Sequence, residues 1–574
     1  MVDNLEKVRH TGAHILAQAV KELFPKVKLG MGPAIENGFY YDFDKEEGFS
    51  AKELKKIEKR MKEIVRRNIK LEKQNISKEK AKILFKGQKY KLELLKDLSE
   101  KTASLYKQGE FIDLCKGPHA KSTGEVKHFK ILNTAGAYWK GTEKNKMLSR
   151  IYVACFKTEK ELKDHLTNLE EAKKRDHTKL GKELDLFVIS ETVGKGLPLL
   201  TPKGATIKRI LKRFIEDEEI KRGYQYTETP IMARSKLYKI SGHLDHYKES
   251  MFVFKTNGEE MVLRPMTCPH QFMIYKSKLR SYRELPIKYA EIAELFRNEK
   301  SGELHGLLRV RQFSLADAHI ICTPEQLEKE FEEVVRLIQF VMKTLGFTDY
   351  WYRFSKGDIK NKEKYIDNPK AWRDSEKMMK KIIDKMKLKY VEAKDEAAFY
   401  GPKLDIQMKN VHGKEDTIFT VQIDFALPER FDMTYEGKSG KKERPMIIHR
   451  SSIGALERTI AMLIEHYAGK FPLWLSPIQV KIMTLTDRSN KFAKEITKKL
   501  QENNIRVELD SRNLSIGKKV RDAQTEKINY MVTIGDKEMK DKQLAIRSRD
   551  GKVKFGVSPE KFIKDLLKQI QEKK

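Results

Sequence analysis

Apolar residues recur along this chain with two spacings, one near 3.6 and one of two, and the changes between them set out its elements. In HTGAH, His10 and His14 lie four apart beside an apolar face that continues through Ile15, Leu16, Ala19 and Leu23, which predicts a helix. GFYYDFD and the AYWKG segment read as strands among helices. Residues 158–180 are highly charged with Leu162, Leu166 and Leu169 at helical spacing, which predicts one long connecting helix. Thr201 and Pro202 supply the N-cap and first residue of a helix through Ile207, Ile210, Leu211 and Phe214 to Gly223, followed by a strand closing at Pro230. RNEKSGELHGLLRVRQF, from Arg297 to Phe313, reads as a strand end, a polar turn with Gly302 and Gly306, and a returning strand from Leu307 whose alternation sets Arg309 and Arg311 on one face. Later an apolar strand ends at His449, and a helix follows with Leu456, Ile460, Leu463 and Ile464 on one side and Arg458 in its first turns. After Pro472 and Pro477 the pattern alternates: strand VKIMTL, helix KFAKEITKKL, strand IRVEL, a helix entered near Ser515, strand YMVTI, and a last helix capped by Ser558 and Pro559. Such βαβ alternation implies a parallel or mixed sheet with right-handed crossovers.

At 574 residues the chain is long enough for three or four domains, and the composition shifts divide it at 1–156, 157–182, 183–471 and 472–574. A net charge of +33 favours a polyanionic partner, although lysine is abundant in every region and much of the excess covers solvated helix faces. The four cysteines, at 115, 155, 268 and 322, have no paired spacing, which points to a reducing compartment. The N-terminus opens into a charged amphipathic helix, no stretch approaches 18 apolar residues, and a cytoplasmic protein is expected.

The arginines of the 297–313 segment suit phosphate, because a planar guanidinium grips it bidentately and stays charged at any working pH. No GxxxxGK[ST], no GxGxxG after a strand, and neither HIGH nor KMSKS occurs, so the other common nucleotide signatures are missing. The ordered set of helix–strand–Pro, then FRNE with a loop and a distal RQF, then GALER, resembles motifs 1, 2 and 3 of the class II aminoacyl-tRNA synthetases. HTGAH, DLCKGPH, AYWKG, NKMLSRIY, RDHTKLGKELDLF, GHLDHYKESMF, AFYGPK and TVQIDFALPERF extend the resemblance over essentially the whole chain, to the threonyl-tRNA synthetases.

That resemblance implies an α+β multidomain fold: an antiparallel-sheet catalytic core at 183–471, an α+β editing domain at 1–156, a linker helix at 157–182 and a C-terminal α/β anticodon-binding domain at 472–574. It implies an enzyme that activates L-threonine with ATP and Mg2+, transfers it to tRNA(Thr) and acts as a homodimer. Cys268, His319 and His449 fall where the family carries its zinc ligands, one Zn2+ per subunit, and a thiolate with two imidazoles leaves a fourth position open. Zinc would bind the amino group and hydroxyl of threonine together, which rejects valine. By the same resemblance Arg297 holds the α-phosphate, Glu299 the adenine amino group and Arg458 the γ-phosphate, with Phe313 stacked on the base and Arg309 a second cation. Lys403 and Gln422 lie by the adenylate, and Tyr400 and Met266 belong to the substrate pocket.

Serine keeps the hydroxyl and lacks one methyl, a difference worth roughly 1–3 kcal/mol, too little for faithful translation. The resemblance assigns His10, His14, Lys91, Asp113, Cys115 and His119 to hydrolysis of Ser-tRNA(Thr), while HxxxH with CxxxH leaves a metal site as the alternative. Asn513, Arg521, Glu538 and Arg547 fall at positions resembling the anticodon-reading residues. Departures are also evident: Thr267 and Gln271 in PMTCPHQ, Ala455 where a serine often precedes motif 3, and the family's extra small N-terminal domain, which is expected to be lacking. A proline or serine enzyme of the same class would lack the Cys–His–His set, and a non-catalytic RNA-binding relative would have lost Arg297 or Arg458.

Overall fold

A computed structural model describes residues 3–142 and 144–574, which divide between Glu170 and Glu171 into two compact units. In the first, helix Asn4–Leu23 starts at Asp3, whose side chain accepts the Leu5 N–H, and every residue from Thr11 to Val20 is buried. A Cβ on Gly12 would lie 2.3 Å from the Phe39 ring, so the glycine of HTGAH is what lets the helix lie close on the sheet. That sheet orders Lys28–Leu29, Gly38–Asp44, Met147–Phe156 and His128–Tyr138, with Ala34–Ile35 pairing off Gly38–Asp44. Helix Ala51–Arg66 joins the same core through Ile57, Met61 and Ile64, and Ser50 and Glu53 form its capping box. Leu71–Ser77, Thr102–Gln108 and Phe111–Leu114 build a second, three-stranded sheet. AYWKG is a strand only as far as Tyr138; Trp139–Gly141 is a 3-10 turn with Lys140 at φ 56°.

The charged connector is two helices, Glu159–Arg175 and His177–Glu183, instead of one. Asp176 breaks it, because its side chain accepts the N–H groups of Thr178 and Lys179 and so caps the second helix.

An eight-stranded sheet forms the centre of the second unit, in the order Gln225–Tyr226, Ile287–Phe296, Gln312–Cys322, Met446–Ala455, Glu415–Asp424, Lys403–Lys409, Trp351–Lys356 and Tyr390–Lys394. Only its two edge pairs are parallel. The helices Pro202–Ile220, Leu327–Thr344 and Leu456–His466 bury their apolar sides in its core through residues such as Leu211, Phe331, Ile338 and Ile460. Thr201 caps the first of these by accepting the Gly204 N–H, with Pro202 in its first turn. Three expected strands have different limits. The one after that helix keeps only Gln225–Tyr226. The returning strand starts at Gln312, because Gly306 to Leu308 form a turn closed by a bridge between His305 and Arg309 and the chain bends again at Arg311. The later strand runs past His449 to Ala455, where Gly454 at φ +70° bends it into helix Leu456–His466.

The C-terminal sheet orders Val507–Asp510, Val480–Thr484, Tyr530–Ile534, Leu544–Ser548 and Val553–Val557, the first three parallel and the last two antiparallel. Ser558 caps the final helix Pro559–Gln571. The last hairpin and the short helix Asp536–Asp541 are additions to the alternation read from the sequence.

Candidate functional site

Antiparallel register assembles a site on one face of the eight-stranded sheet. His319 stands opposite His449, His449 opposite Gln422, and Gln422 opposite Lys403, so four neighbouring strands present their side chains in a row. They line a cavity of about 660 Å³ together with Arg297, Glu299, Arg309, Phe313 and Arg458. Met266, Cys268 and Tyr400 face the same space. Arg311, expected beside Arg309, turns away, donating from Nε to the Glu299 carbonyl at 3.1 Å and from Nη1 to the Lys195 carbonyl at 3.4 Å. The turn at Gly306–Leu308 and the bend at Arg311 break the strand alternation that had set the two arginines on one face.

Inside the cavity Arg297 has its guanidinium 5.2 Å from the Phe313 ring centre, and its Nε and Nη2 each lie 3.5 Å from the Pro265 carbonyl. Arg309 pairs with Glu299 at 2.8 Å and Glu303 at 2.6 Å. Arg458 donates to the Leu308 carbonyl at 3.1 Å and the Thr417 carbonyl at 2.7 Å. Burial lowers the pKa of Arg297 and Arg458, and Arg297 and Arg309 depress Arg458 further. Three guanidinium groups around one cavity repel one another, and a polyanion there relieves that repulsion. Lys403 meets Asp405 at 3.0 Å, and the Tyr400 hydroxyl donates to Gln422.

At the other end of the cavity, ligand atoms of Cys268, His319 and His449 all lie within 4.8 Å of one another, and all three residues are buried. Gln271 Oε1 stands 2.5 Å from His319 Nδ1, and Asp424 Oδ2 stands 2.8 Å from His449 Nε2. Each imidazole therefore donates through one nitrogen and keeps a lone pair on the other. Burial holds His319 neutral well below its usual range. Burial and the carboxylates Asp317 and Asp424 push the Cys268 thiol far up, so a thiolate here requires a compensating cation. Soft sulfur plus two oriented nitrogens is a donor set that fits Zn2+.

The first unit gathers a second cluster. Cys115 Sγ lies 3.1 Å from His10 Nε2 and 3.2 Å from His119 Nε2, and the His10 and His119 rings stack at 4.1 Å. His10 Nδ1 is 3.1 Å from the Pro118 carbonyl, an oxygen that only accepts, so its proton sits there and Nε2 accepts from the thiol. Beside them Lys91 Nζ meets Asp113 Oδ1 at 2.5 Å, and Tyr41 donates to Asp113 Oδ2 at 2.6 Å. His14 Nε2 lies 3.9 Å from that carboxylate. Burial lowers the pKa of all three histidines and pushes the Cys115 thiol up to about 11, so the cluster holds neutral imidazoles and a protonated thiol around one buried ion pair.

In the C-terminal sheet Asn513 and Arg521 are exposed near the end of strand Val507–Asp510 and on the helix after it. Glu538 accepts the Gly535 N–H at 3.0 Å, and Arg547 donates to the Gly551 carbonyl at 3.1 Å. Among the contacts of the described residues, no hydrogen bond or ion pair joins these four to one another.

Sequence reasoning missed several contributors. Tyr41 and Asp424 orient the two clusters together with Gln271, which the sequence marked only as a departure, and Asp317, raised to about 6 by burial, lines the cavity as a carboxylate suited to an amino group. His243 lines it too, fully buried with Nδ1 2.8 Å from Ser241 Oγ. Their signal lay in quoted segments, GHLDHYKESMF for His243 and TVQIDFALPERF for Asp424, but orientation needs a neighbour that only the fold supplies.

Residues 247–467 match the class II core domain of tRNA synthetases (G, H, P, S and T), and residues 479–569 match the anticodon binding domain. Residues 103–152 match the threonyl and alanyl tRNA synthetase second additional domain, a type associated with editing. Fold and site together define a class II aminoacyl-tRNA synthetase. The chain is 55% identical to the threonine–tRNA ligase of Clostridium botulinum (strain Eklund 17B / Type B), covering 99% of this chain and 89% of that one. The Halalkalibacterium halodurans threonine–tRNA ligase is 48% identical over 99% of this chain and 89% of its own. Among solved structures, the RNA binding domain of threonyl-tRNA synthetase from Cryptosporidium parvum superposes with a TM-score of 0.66 at 35% identity, covering 69% of this chain and 98% of that one. The chain belongs to the threonine–tRNA ligases. The prolyl-tRNA synthetase of Cryptosporidium parvum, at 15% identity and a TM-score of 0.53, shares the fold alone.

Proposed function

We propose that the chain activates L-threonine with ATP, transfers it to tRNA(Thr), and hydrolyses Ser-tRNA(Thr) in a separate module. The observation that carries this reading is that three arginines and the Cys268–His319–His449 set open onto one cavity. Arg297 and Arg458 neutralise the phosphates of ATP while the threonine carboxylate attacks the α-phosphorus and pyrophosphate leaves. Glu299 accepts from the adenine amino group, and Phe313, with Arg297 near its ring, supports the base. Lys403, Gln422 and Tyr400 line the space for the adenylate, with Met266 on its wall and Arg309 as a further cation. The terminal ribose hydroxyl of tRNA then attacks the acyl carbon and AMP leaves. Zn2+ held by Cys268, His319 and His449 supplies a Lewis-acid anchor for the amino acid, and Mg2+ accompanies ATP. Asp317 adds a carboxylate that accepts from the N–H groups of the substrate amine. In the editing module, at 1–156, His10, His14, Lys91, Asp113, Cys115 and His119 bind the mischarged end and position water. Cys115, a protonated thiol, acts in positioning. Asn513, Arg521, Glu538 and Arg547 of the 472–574 module meet the anticodon.

The exposed Ile220, Ile231 and Met232, at the end of the motif 1 helix and just beyond the short strand after it, support a homodimer with a self-complementary face. Among the described residues no helix is long and apolar enough to cross a membrane, and we take the enzyme to be cytoplasmic. Amino-acid-dependent pyrophosphate exchange across all twenty amino acids tests the central claim. Exchange with threonine is expected, and exchange with proline or with no amino acid would overturn it.

A further inference from the structure

His177 lies in the connector RDHTKL, outside the cavity, and is fully buried. Its Nε2 accepts the backbone N–H of Leu307 at 3.2 Å, so the ring is neutral with its proton on Nδ1, and that proton is donated to Glu465 Oε1 at 2.7 Å. Glu465 stands in the last turn of the helix that carries Arg458, and its other oxygen accepts the Val411 N–H at 3.1 Å. Gly306 makes this approach feasible. A Cβ there would fall 2.1 Å from His177 Nε2 and 2.8 Å from Thr178 Oγ1, and the residue sits at φ +48°.

The segment so held is the one that the sheet leaves unsupported. Leu307, Leu308 and Arg309 line the cavity, yet the ladder begins only at Gln312. Arg458 takes the Leu308 carbonyl from the cavity side, and His177 takes the Leu307 N–H from the far side. We propose that His177 is a positioning residue for the ATP site: the Glu465–His177 pair pins the Leu307–Arg309 backbone, and through it sets where Arg309 and Glu299 meet the nucleotide. The inference rests on reading the cavity as the ATP site.

The test is threonine-dependent pyrophosphate exchange with KM measured separately for ATP and threonine, on the full chain, alongside melting temperature. Wild-type exchange establishes the ATP site itself; its absence would remove that reading and this inference together. With an active wild type, His177→Ala is expected to raise KM for ATP about tenfold, as loss of one hydrogen bond to a buried N–H does, and to leave KM for threonine within about twofold. His177→Gln retains a donor and an acceptor and is expected to recover most of the loss. Gly306→Ala crowds the same contact from the other side with the imidazole intact, and the double variant Gly306→Ala with His177→Ala is expected to lose less than the sum of the two single losses, because the clash with the imidazole is gone while the strain at φ +48° and the approach to Thr178 Oγ1 remain. Unchanged kinetics in His177→Ala, equal rises in both KM values, or additive losses in the double variant would overturn the proposal. If His177→Ala does not fold, the ATP and threonine KM values of Gly306→Ala decide it by the same split.

Discussion

Gln271 and Asp424 decide which nitrogen of each imidazole stays free at the Cys268 site, and Gln271 is one of the departures noted in PMTCPHQ. Its amide also donates to Thr227 Oγ1 at 2.8 Å, so it is locked at both ends. Gln271→Ala frees the His319 ring and is expected to weaken zinc about 10–100-fold, read by competition with a chromophoric chelator, as loss of an orienting partner does; unaltered affinity would count against this donor set. Protons act on the other cluster. The pKa values of His10, His14 and His119 are all lowered by burial, whereas the unfolded chain titrates near pH 6.5. The unfolded state therefore binds more protons below that pH. The stability these neutral rings contribute is complete above about pH 6.5 and is lost as pH falls, by at most about 1.4 kcal/mol per histidine per pH unit. Amide protection factors of the first unit, with the intrinsic exchange rate at each pH divided out, are expected to fall on acidification from about pH 7 to 5, and less so in His14→Gln. Protection factors that do not change with pH would contradict the burial of uncharged rings.

At the level of elements, motif 3 begins without a cap. Ala455 holds the N-cap position of helix Leu456–His466 at φ −70°, ψ 122° and makes no side-chain cap hydrogen bond. A serine there reaches the N–H groups of the first turn, so Ala455→Ser is expected to stabilise the second unit by about 1 kcal/mol, measured as a higher denaturant midpoint; an unchanged or lower midpoint would mean that the first turn is satisfied otherwise. The helices were legible wherever their signals were local. Thr201 with Pro202 and Ser558 with Pro559 carry their caps in the adjoining residues, and both helices start there. Elements set by distant partners were not legible. The strand through His449 continues to Ala455 because it pairs with Gln312–Cys322 on one side and Glu415–Asp424 on the other, which local alternation does not reveal. The connector's break at Asp176 follows from an Asx cap that competes with helix continuation, hidden among so many charged residues. In the site, the residue types that carry charge or ligate metal were readable from motifs, whereas Gln271, Tyr41 and His177 act only through neighbours brought from far along the chain.

For the whole molecule, the homodimer reading predicts a doubled mass in light scattering at micromolar concentration, and an active monomer would contradict it. The two compact units also predict a division of labour. One methyl separates serine from threonine, too small a difference for the synthetic pocket to reject, so misacylated Ser-tRNA(Thr) must be removed elsewhere. The cluster at Cys115 is in the first unit and the arginines that line the cavity are in the second. Changing His10 and His14 together to alanine is expected to leave threonylation nearly unchanged while Ser-tRNA(Thr) accumulates. Removing either member of the buried Lys91–Asp113 pair strands a charge at a cost of about 3–5 kcal/mol and would confuse activity with folding, which is why the histidines are the better target. If the histidines only pack the first helix, the double variant loses stability and deacylation falls with melting temperature. If four ligand atoms within 4.8 Å of one another instead hold a metal, chelation stops wild-type deacylation and added metal restores it. Deacylation of preformed Ser-tRNA(Thr) by wild type and double variant, with melting temperature and with chelator, separates the three. A stable double variant that still clears serine at the wild-type rate would refute editing at this cluster.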